Sequence, residues 1–150
     1  EPRTKDYDAL EPPPTLSERF DVKNWGMLSV QTVAIDTEAP AQVETHGIGG
    51  AIVAIRTPGL DMLEGRNDLA ILWDIRVHPI FRRKGVGRAL FEDAKKWAKK
   101  KGCIELRVET QDTNVDACRF YRRMGCRLHS IHENAYAGLD EARIIWTNKI

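Results

Sequence analysis

Residues 69–90 read LAILWDIRVHPIFRRKGVGRAL, and this stretch decides the fold. Its first half alternates. Ile71, Trp73, Ile75 and Val77 are expected to share one face of a strand, with Leu72, Asp74 and Arg76 on the other. His78-Pro79 ends the strand, because proline has no N–H to give a ladder. A short basic turn follows, and from Val86 the period changes. Val86, Leu90, Ala94, Trp97 and Ala98 recur at three- and four-residue steps, which predicts a helix over 86–101. Lys99-Lys100-Lys101 and then Gly102 supply the cations and the stop that suit a helix C-terminus.

Working outward, Ile104, Leu106 and Val108 alternate as a strand over 103–109, so strand, helix and strand form one β-α-β unit with parallel strands. A second helix is expected over 114–124, capped from Asp112 or Thr113 and stopped by Gly125. Strands near 126–131 and 142–147 finish the chain. Upstream, 27–35 and 49–56 are rich in β-branched residues and flank a polar connection at 37–45, an antiparallel pair. The segment 57–68, with Pro58-Gly59 and Gly65, reads as a loop. Residues 1–26 lack pattern and contain Pro12-Pro13-Pro14, so the division is an irregular segment at 1–26 and one domain at 27–150. The order β-β-β-α-β-α-β-β implies an α/β fold with a mixed sheet covered by helices.

The bulk numbers fit one soluble domain: 150 residues, 42% apolar, 30% charged. A formal charge of +1 gives no global reason for a nucleic-acid or membrane partner. No apolar run approaches the roughly 20 residues of a membrane helix. No signal peptide is visible, although the chain begins at Glu1 rather than Met. Cys103, Cys118 and Cys126 cannot all pair within one molecule, and free thiols point to the cytoplasm. No metal cluster is indicated, and nothing fixes the oligomeric state, a homodimer being compatible.

The turn between strand and helix packs Arg82, Arg83, Lys84 and Arg88 beside Gly85 and Gly87. A helix N-terminus offers unpaired amides and partial positive charge, and glycines let a phosphate approach the backbone. A solvated basic turn is the alternative. The GxxxxGK[ST] loop is absent and GxGxxG is incomplete, which argues against a nucleoside triphosphate or a dinucleotide.

Arg82-Arg83-Lys84-Gly85-Val86-Gly87 matches the R/Q-x-x-G-x-G/A signature of the GNAT superfamily of N-acetyltransferases, with Val77-His78-Pro79 at its V-x-P step. Asn114, Ala117, Phe120-Tyr121 and Gly125 reproduce its N-x-x-A-x-x-F-Y-x-x-x-G pattern. The resemblance covers roughly 69–127. It implies a mixed, mostly antiparallel sheet whose central parallel strands splay apart, flanked by helices. It also implies acetyl-CoA as acetyl donor. The pantetheine arm would bond backbone around Ile75, Arg76 and Val77, and the diphosphate would rest on Arg82, Arg83, Lys84, Gly85, Val86 and Gly87, with Arg88 adding charge. Asn114 falls where the family contacts pantetheine, and helix capping explains it equally well. Tyr121 falls on the tyrosine that protonates the departing sulfur.

Amine acetylation needs a proton removed from the ammonium, an oxyanion stabilised and the leaving thiolate protonated. A lysine-like amine titrates near 10.4, so freeing it at neutral pH costs about 4–5 kcal/mol. Asp74 and Glu109 both approach the expected split and are the candidate bases, directly or through water; His78 before a proline suits a strand end instead. No Cys-His motif supports a thiol nucleophile. The run 109–121, ETQDTNVDACRFY, is most similar to streptothricin acetyltransferases, whose acceptor is an antibiotic's β-lysine amine. That resemblance implies a small-molecule amine substrate and antibiotic resistance, with Asp74, Glu109, Asp112, Glu133, Asp140 and Glu141 available to a cation. Only about 26 residues precede the first strand, fewer than the family's usual β-α-α opening, and Cys126 replaces the usual aromatic. A peptide or protein N-acetyltransferase and a non-catalytic acyl-CoA-binding module remain the alternatives.

Overall fold

The computed structural model describes residues 20–33 and 45–150. Six strands form one sheet in the order β1-β2-β3-β4-β6-β5. β1 (Trp25–Val33) and β2 (Thr45–Ala54) pair antiparallel, as the β-branched runs predict. The first strand starts two residues before the expected 27; most of the expected 37–45 connection and residues 1–19 lie outside the described residues. β3 (Leu69–Val77) is antiparallel to β2 and parallel to β4 (Glu105–Gln111). β5 (Arg127–His132) and β6 (Arg143–Lys149) close the other half, with β6 antiparallel to β4.

Helix α1 (Val86–Lys100) lies across β1, β2 and β3 and turns Leu90, Phe91, Ala94 and Ala98 into the sheet. Phe91 is fully buried, a transfer worth about 2–3 kcal/mol. The helix ends as its sequence predicts, with Cys103 N–H bonding back to the Ala98 carbonyl at 3.0 Å past Gly102. Helix α2 (Val115–Arg123) packs beside it, and Phe91, Phe120 and Tyr121 interlock with ring centroids 5.2–6.2 Å apart.

One expectation fails inside β3. Ile52 opposes Asp74, while the next residue, Val53, opposes Leu72, so Trp73 is an extra residue in the ladder. This bulge interrupts the two-residue period. Leu72, Ile75 and Val77 pack together under the helices, whereas Ile71 and Trp73 join Leu60, Leu63 and Leu69 on the opposite face. A strict alternation would have put all four of Ile71, Trp73, Ile75 and Val77 on one side. The bulge turns the second half of the strand over.

Candidate active site

β3 and β4 pair only at Leu69↔Glu105, Ala70↔Leu106 and Ile71↔Arg107. Beyond that vertex both strands continue, β3 to Val77 and β4 to Gln111, with no register between them. The parallel pair therefore opens into a split whose walls are unpaired strand edges, and unpaired edges carry N–H and C=O groups that require partners. Ile75, Arg76 and Val77 line one wall.

The basic turn stands at the open end. Arg83 (φ 61°) and Gly85 (φ 81°) are both left-handed, and Gly85 caps α1. The first intrahelical bond is Ala89 N–H to the Gly85 carbonyl at 3.0 Å, so the amides of Val86, Gly87 and Arg88 precede the helical ladder. Left-handed residues in such a turn aim successive amides into one concavity. A side chain at Gly87 would meet Phe120 Cε2 at 3.1 Å and Val77 Cγ2 at 3.7 Å, so glycine is what lets the helix start press onto β3 and α2. Arg82 Nε donates to the Val77 carbonyl at 3.3 Å and ties the turn to the strand end. Arg83, Lys84 and Arg88 are exposed, and Lys84 Nζ lies 5.7 Å over the Phe81 ring.

Tyr121 lies on the helical face of the sheet, 5% exposed, among Leu106, Val108 and Phe91. Burial raises its phenol above the ordinary value, helped by the nearby Cys126, Asp74 and Cys118. Asp74 stands on β3 beyond the last residue paired with β4. Asn114 resolves part of its ambiguity: its Oδ1 accepts from Ala117 N–H at 3.2 Å and caps α2, a task expected of Asp112 or Thr113. Its side-chain amide N–H groups stay out of that cap.

Glu105, Arg107 and Glu109 alternate with the core residues Leu106 and Val108, so they face away from the helices. The two base candidates differ. Asp74 is paired with Arg76, Nε lying 3.0 and 3.2 Å from the two carboxylate oxygens. Glu109 Oε1 instead accepts from the Tyr136 hydroxyl at 2.6 Å, and Gln111 Nε2 donates to that same hydroxyl at 3.3 Å. Tyr136 went unread in the sequence because HENAYAGLDEA (132–142) has no period, and an aromatic among small and polar residues was its only signal. Other acids expected to meet a cation hold the same loop: Asp112 Oδ1 accepts from Ala142 N–H at 2.9 Å, and Glu141 Oε1 accepts from Thr113 Oγ1 at 3.0 Å.

Below the split, at its vertex, lies a second charged cluster. Arg107, 6% exposed, bonds Glu64 at 2.9 Å and Glu105 at 2.8 Å, while Arg66 bonds Glu105 at 2.7 Å and Asp68 at 2.8 Å. Thr147 Oγ1 donates to Glu105 at 2.6 Å. Burial pushes the Glu105 carboxyl up, but the hydrogen bonds from Thr147, Arg66 and Arg107 outweigh it and hold the group at about 2. Among the described residues no group of three His, Cys, Asp or Glu could hold a metal ion, and no helix is long and apolar enough to cross a membrane.

The sequence profile of the acetyltransferase (GNAT) family matches residues 12–126. Streptothricin acetyltransferase A of Bacillus subtilis is 36% identical over 86 residues, 55% of this chain and 50% of that protein. The [ribosomal protein bS18]-alanine N-acetyltransferase of Escherichia coli K12 is 34% identical over 73 residues, 49% of each. The chain thus spans about half the length of these curated relatives. A Bacillus anthracis acetyltransferase solved in complex with acetyl coenzyme A superposes with a TM-score of 0.60 at 20% identity, over 85% of this chain and 87% of its own.

Proposed function

Since the chain belongs to the acetyltransferase (GNAT) family, we propose that it is an N-acetyltransferase moving an acetyl group from acetyl-CoA to a primary amine of a small molecule, with a streptothricin-like antibiotic the leading acceptor. The observation that carries this reading is the termination of β3–β4 pairing at Ile71↔Arg107, with the left-handed turn at Arg83 and Gly85 across the open end. The residues fit the coenzyme. The backbone edge around Ile75–Val77, which has no partner on β4, suits the two amides of pantetheine, and the first-turn amides of α1 with Arg83, Lys84 and Arg88 suit a diphosphate. Acetyl-CoA supplies an acetyl thioester when bound.

Glu109 takes the proton of the incoming ammonium, directly or through water, on the face of the sheet away from the helices. It suits this better than Asp74, whose carboxylate is paired with Arg76. Tyr121 offers its hydroxyl from the helical face. Burial keeps the phenol protonated at neutral pH, so a donor is always present. Complete transfer from even an ordinary phenol to a thiolate runs uphill by about 2 kcal/mol. Tyr121 therefore acts first as a hydrogen bond to the sulfur as its charge develops.

The expected result is thiol release from acetyl-CoA and a mass gain of about 42 on streptothricin, the increment set by replacing N–H with N-acetyl. Silence across streptothricin, simple diamines and lysine overturns the small-molecule reading. Turnover confined to alanine-terminated peptides selects a peptide acetyltransferase, which the likeness to the bS18-alanine enzyme favours as the second reading. Acetyl-CoA binding with no turnover on either set selects a non-catalytic module.

A further inference from the structure

We infer that Tyr136 is the positioning residue of the acceptor side, holding the Glu109 carboxylate so that Oε2 is the oxygen presented to the incoming ammonium. This rests on the assignment of Glu109 as base. The connection carrying Tyr136 comes from β5–β6, remote in sequence from the signature motifs, and three separate attachments bring it to β4. Asp112 binds Ala142 twice: N–H to carbonyl at 3.0 Å, and side chain from N–H at 2.9 Å. Thr113 binds Glu141 at 3.0 Å. Tyr136 itself closes on Glu109 at 2.6 Å, a short bond of the kind a hydroxyl makes to an ionised carboxylate. Left-handed Asn134 and Gly138, at φ 56° and 76°, bracket the tyrosine and shape the turn that presents it.

The direction of the hydrogen bonds matters. Gln111 Nε2 can only donate, so the Tyr136 oxygen accepts from it and the phenolic hydrogen is turned onto Glu109. Gln111 and Glu109 stand two residues apart on β4 and therefore project to the same side. The chain Gln111 → Tyr136 → Glu109 anchors Oε1, and no hydrogen bond to Oε2 occurs among the described residues. Burial, followed by the bond to Glu109, raises the Tyr136 phenol, so it remains a donor rather than a competing base. A carboxylate free to rotate would reach the attacking geometry less often, and misplacement by about 1 Å can cost on the order of 100-fold in rate.

The test is a four-protein cycle: wild type, Tyr136→Phe, Glu109→Gln and the double variant, assayed with acetyl-CoA and the best amine among streptothricin, simple diamines, lysine and alanine-terminated peptides. Tyr136→Phe should lower kcat about 10-fold and Glu109→Gln about 100-fold, the span of general-base effects, with KM for acetyl-CoA unchanged in both. In the Glu109→Gln background, Tyr136→Phe should change kcat less than about twofold, because residues acting through one group are not additive. Gln111→Ala, which leaves Tyr136 in place, should give a smaller loss in the same direction. If Tyr136→Phe keeps full kcat while Glu109→Gln loses it, the positioning role is wrong and the base assignment stands. If Glu109→Gln keeps full kcat, or no amine in the set is acetylated, the base assignment falls and the inference with it. An equal loss from Tyr136→Phe in both backgrounds also overturns the inference, since the tyrosine would then act elsewhere.

Discussion

The two ends of the β3–β4 pair are built from similar residues and behave as opposites. At the vertex, Glu64, Arg66, Asp68, Glu105, Arg107 and Thr147 satisfy one another, and the most central charge, Arg107, is buried. At the mouth the strands part, Arg83, Lys84 and Arg88 stand exposed, and Glu109 is held by one tyrosine. Backbone left unpaired at one end has to find partners or be offset elsewhere, and the vertex cluster supplies interactions that can offset it. The vertex stores stability, and the proposed coenzyme site lies at the mouth. The two should separate under mutation.

The largest effect belongs to the vertex. Arg107→Leu removes two charge-assisted hydrogen bonds, one to Glu64 and one to Glu105, while Arg66 and Thr147 still hold Glu105, and at roughly 1.5 kcal/mol per bond the loss is about 3 kcal/mol. Urea unfolding should show that loss, and a change below about 1 kcal/mol would mean the vertex is no clamp. Next comes the mouth. Gly85→Asp adds negative charge where a diphosphate is expected, at a position with open space around the missing Cβ. Calorimetry should show acetyl-CoA affinity falling at least about 100-fold, roughly 3 kcal/mol, while folding stability changes by about 1 kcal/mol. Unchanged affinity would erase the distinction between the two ends. Tyr121→Phe sharpens it further: kcat should fall about 100-fold with coenzyme affinity retained, and an unaltered kcat would remove the tyrosine from the chemistry.

The smallest effect is a titration. Glu105 sits at about 2 in the folded chain against an ordinary 4.5. A depressed carboxyl contributes stability that is complete above its unfolded value and is lost as pH falls towards its folded one. Stability should therefore drop from this group by about 2 kcal/mol between about pH 6 and pH 3. Glu105→Gln should remove that part of the slope, whereas Glu109→Gln, at the mouth, should leave it intact.

Much of this was legible in the sequence, and the unread parts share a cause. Local periodicity located β3, α1, β4 and α2, and the β-α-β order set the parallel pair. The turn at Arg82–Gly87 and the cap region at Asn114 were readable because both depend on neighbours within a few residues. The bulge at Trp73 was not, since it arises from pairing with Ile52 and Val53 across the sheet and overrides the strand's own alternation. Arg107 with Glu64 and Arg66 with Glu105 join residues 43 and 39 positions apart, and nothing local marks such partners. Tyr136 reaches Glu109 from 27 residues away, out of a loop with no period at all. Sequence revealed the parallel pair and the basic turn after β3; the side chains that tie distant segments together required the folded chain.

The most direct measurement is a crystal structure of the protein with acetyl-CoA. The account predicts the diphosphate against the amides of Val86–Arg88 with Arg83 and Lys84 around it, pantetheine between β3 and β4, and the sulfur within hydrogen-bonding reach of the Tyr121 hydroxyl. A coenzyme bound elsewhere, or a split closed by pairing between Leu72–Val77 and Val108–Gln111, would contradict it.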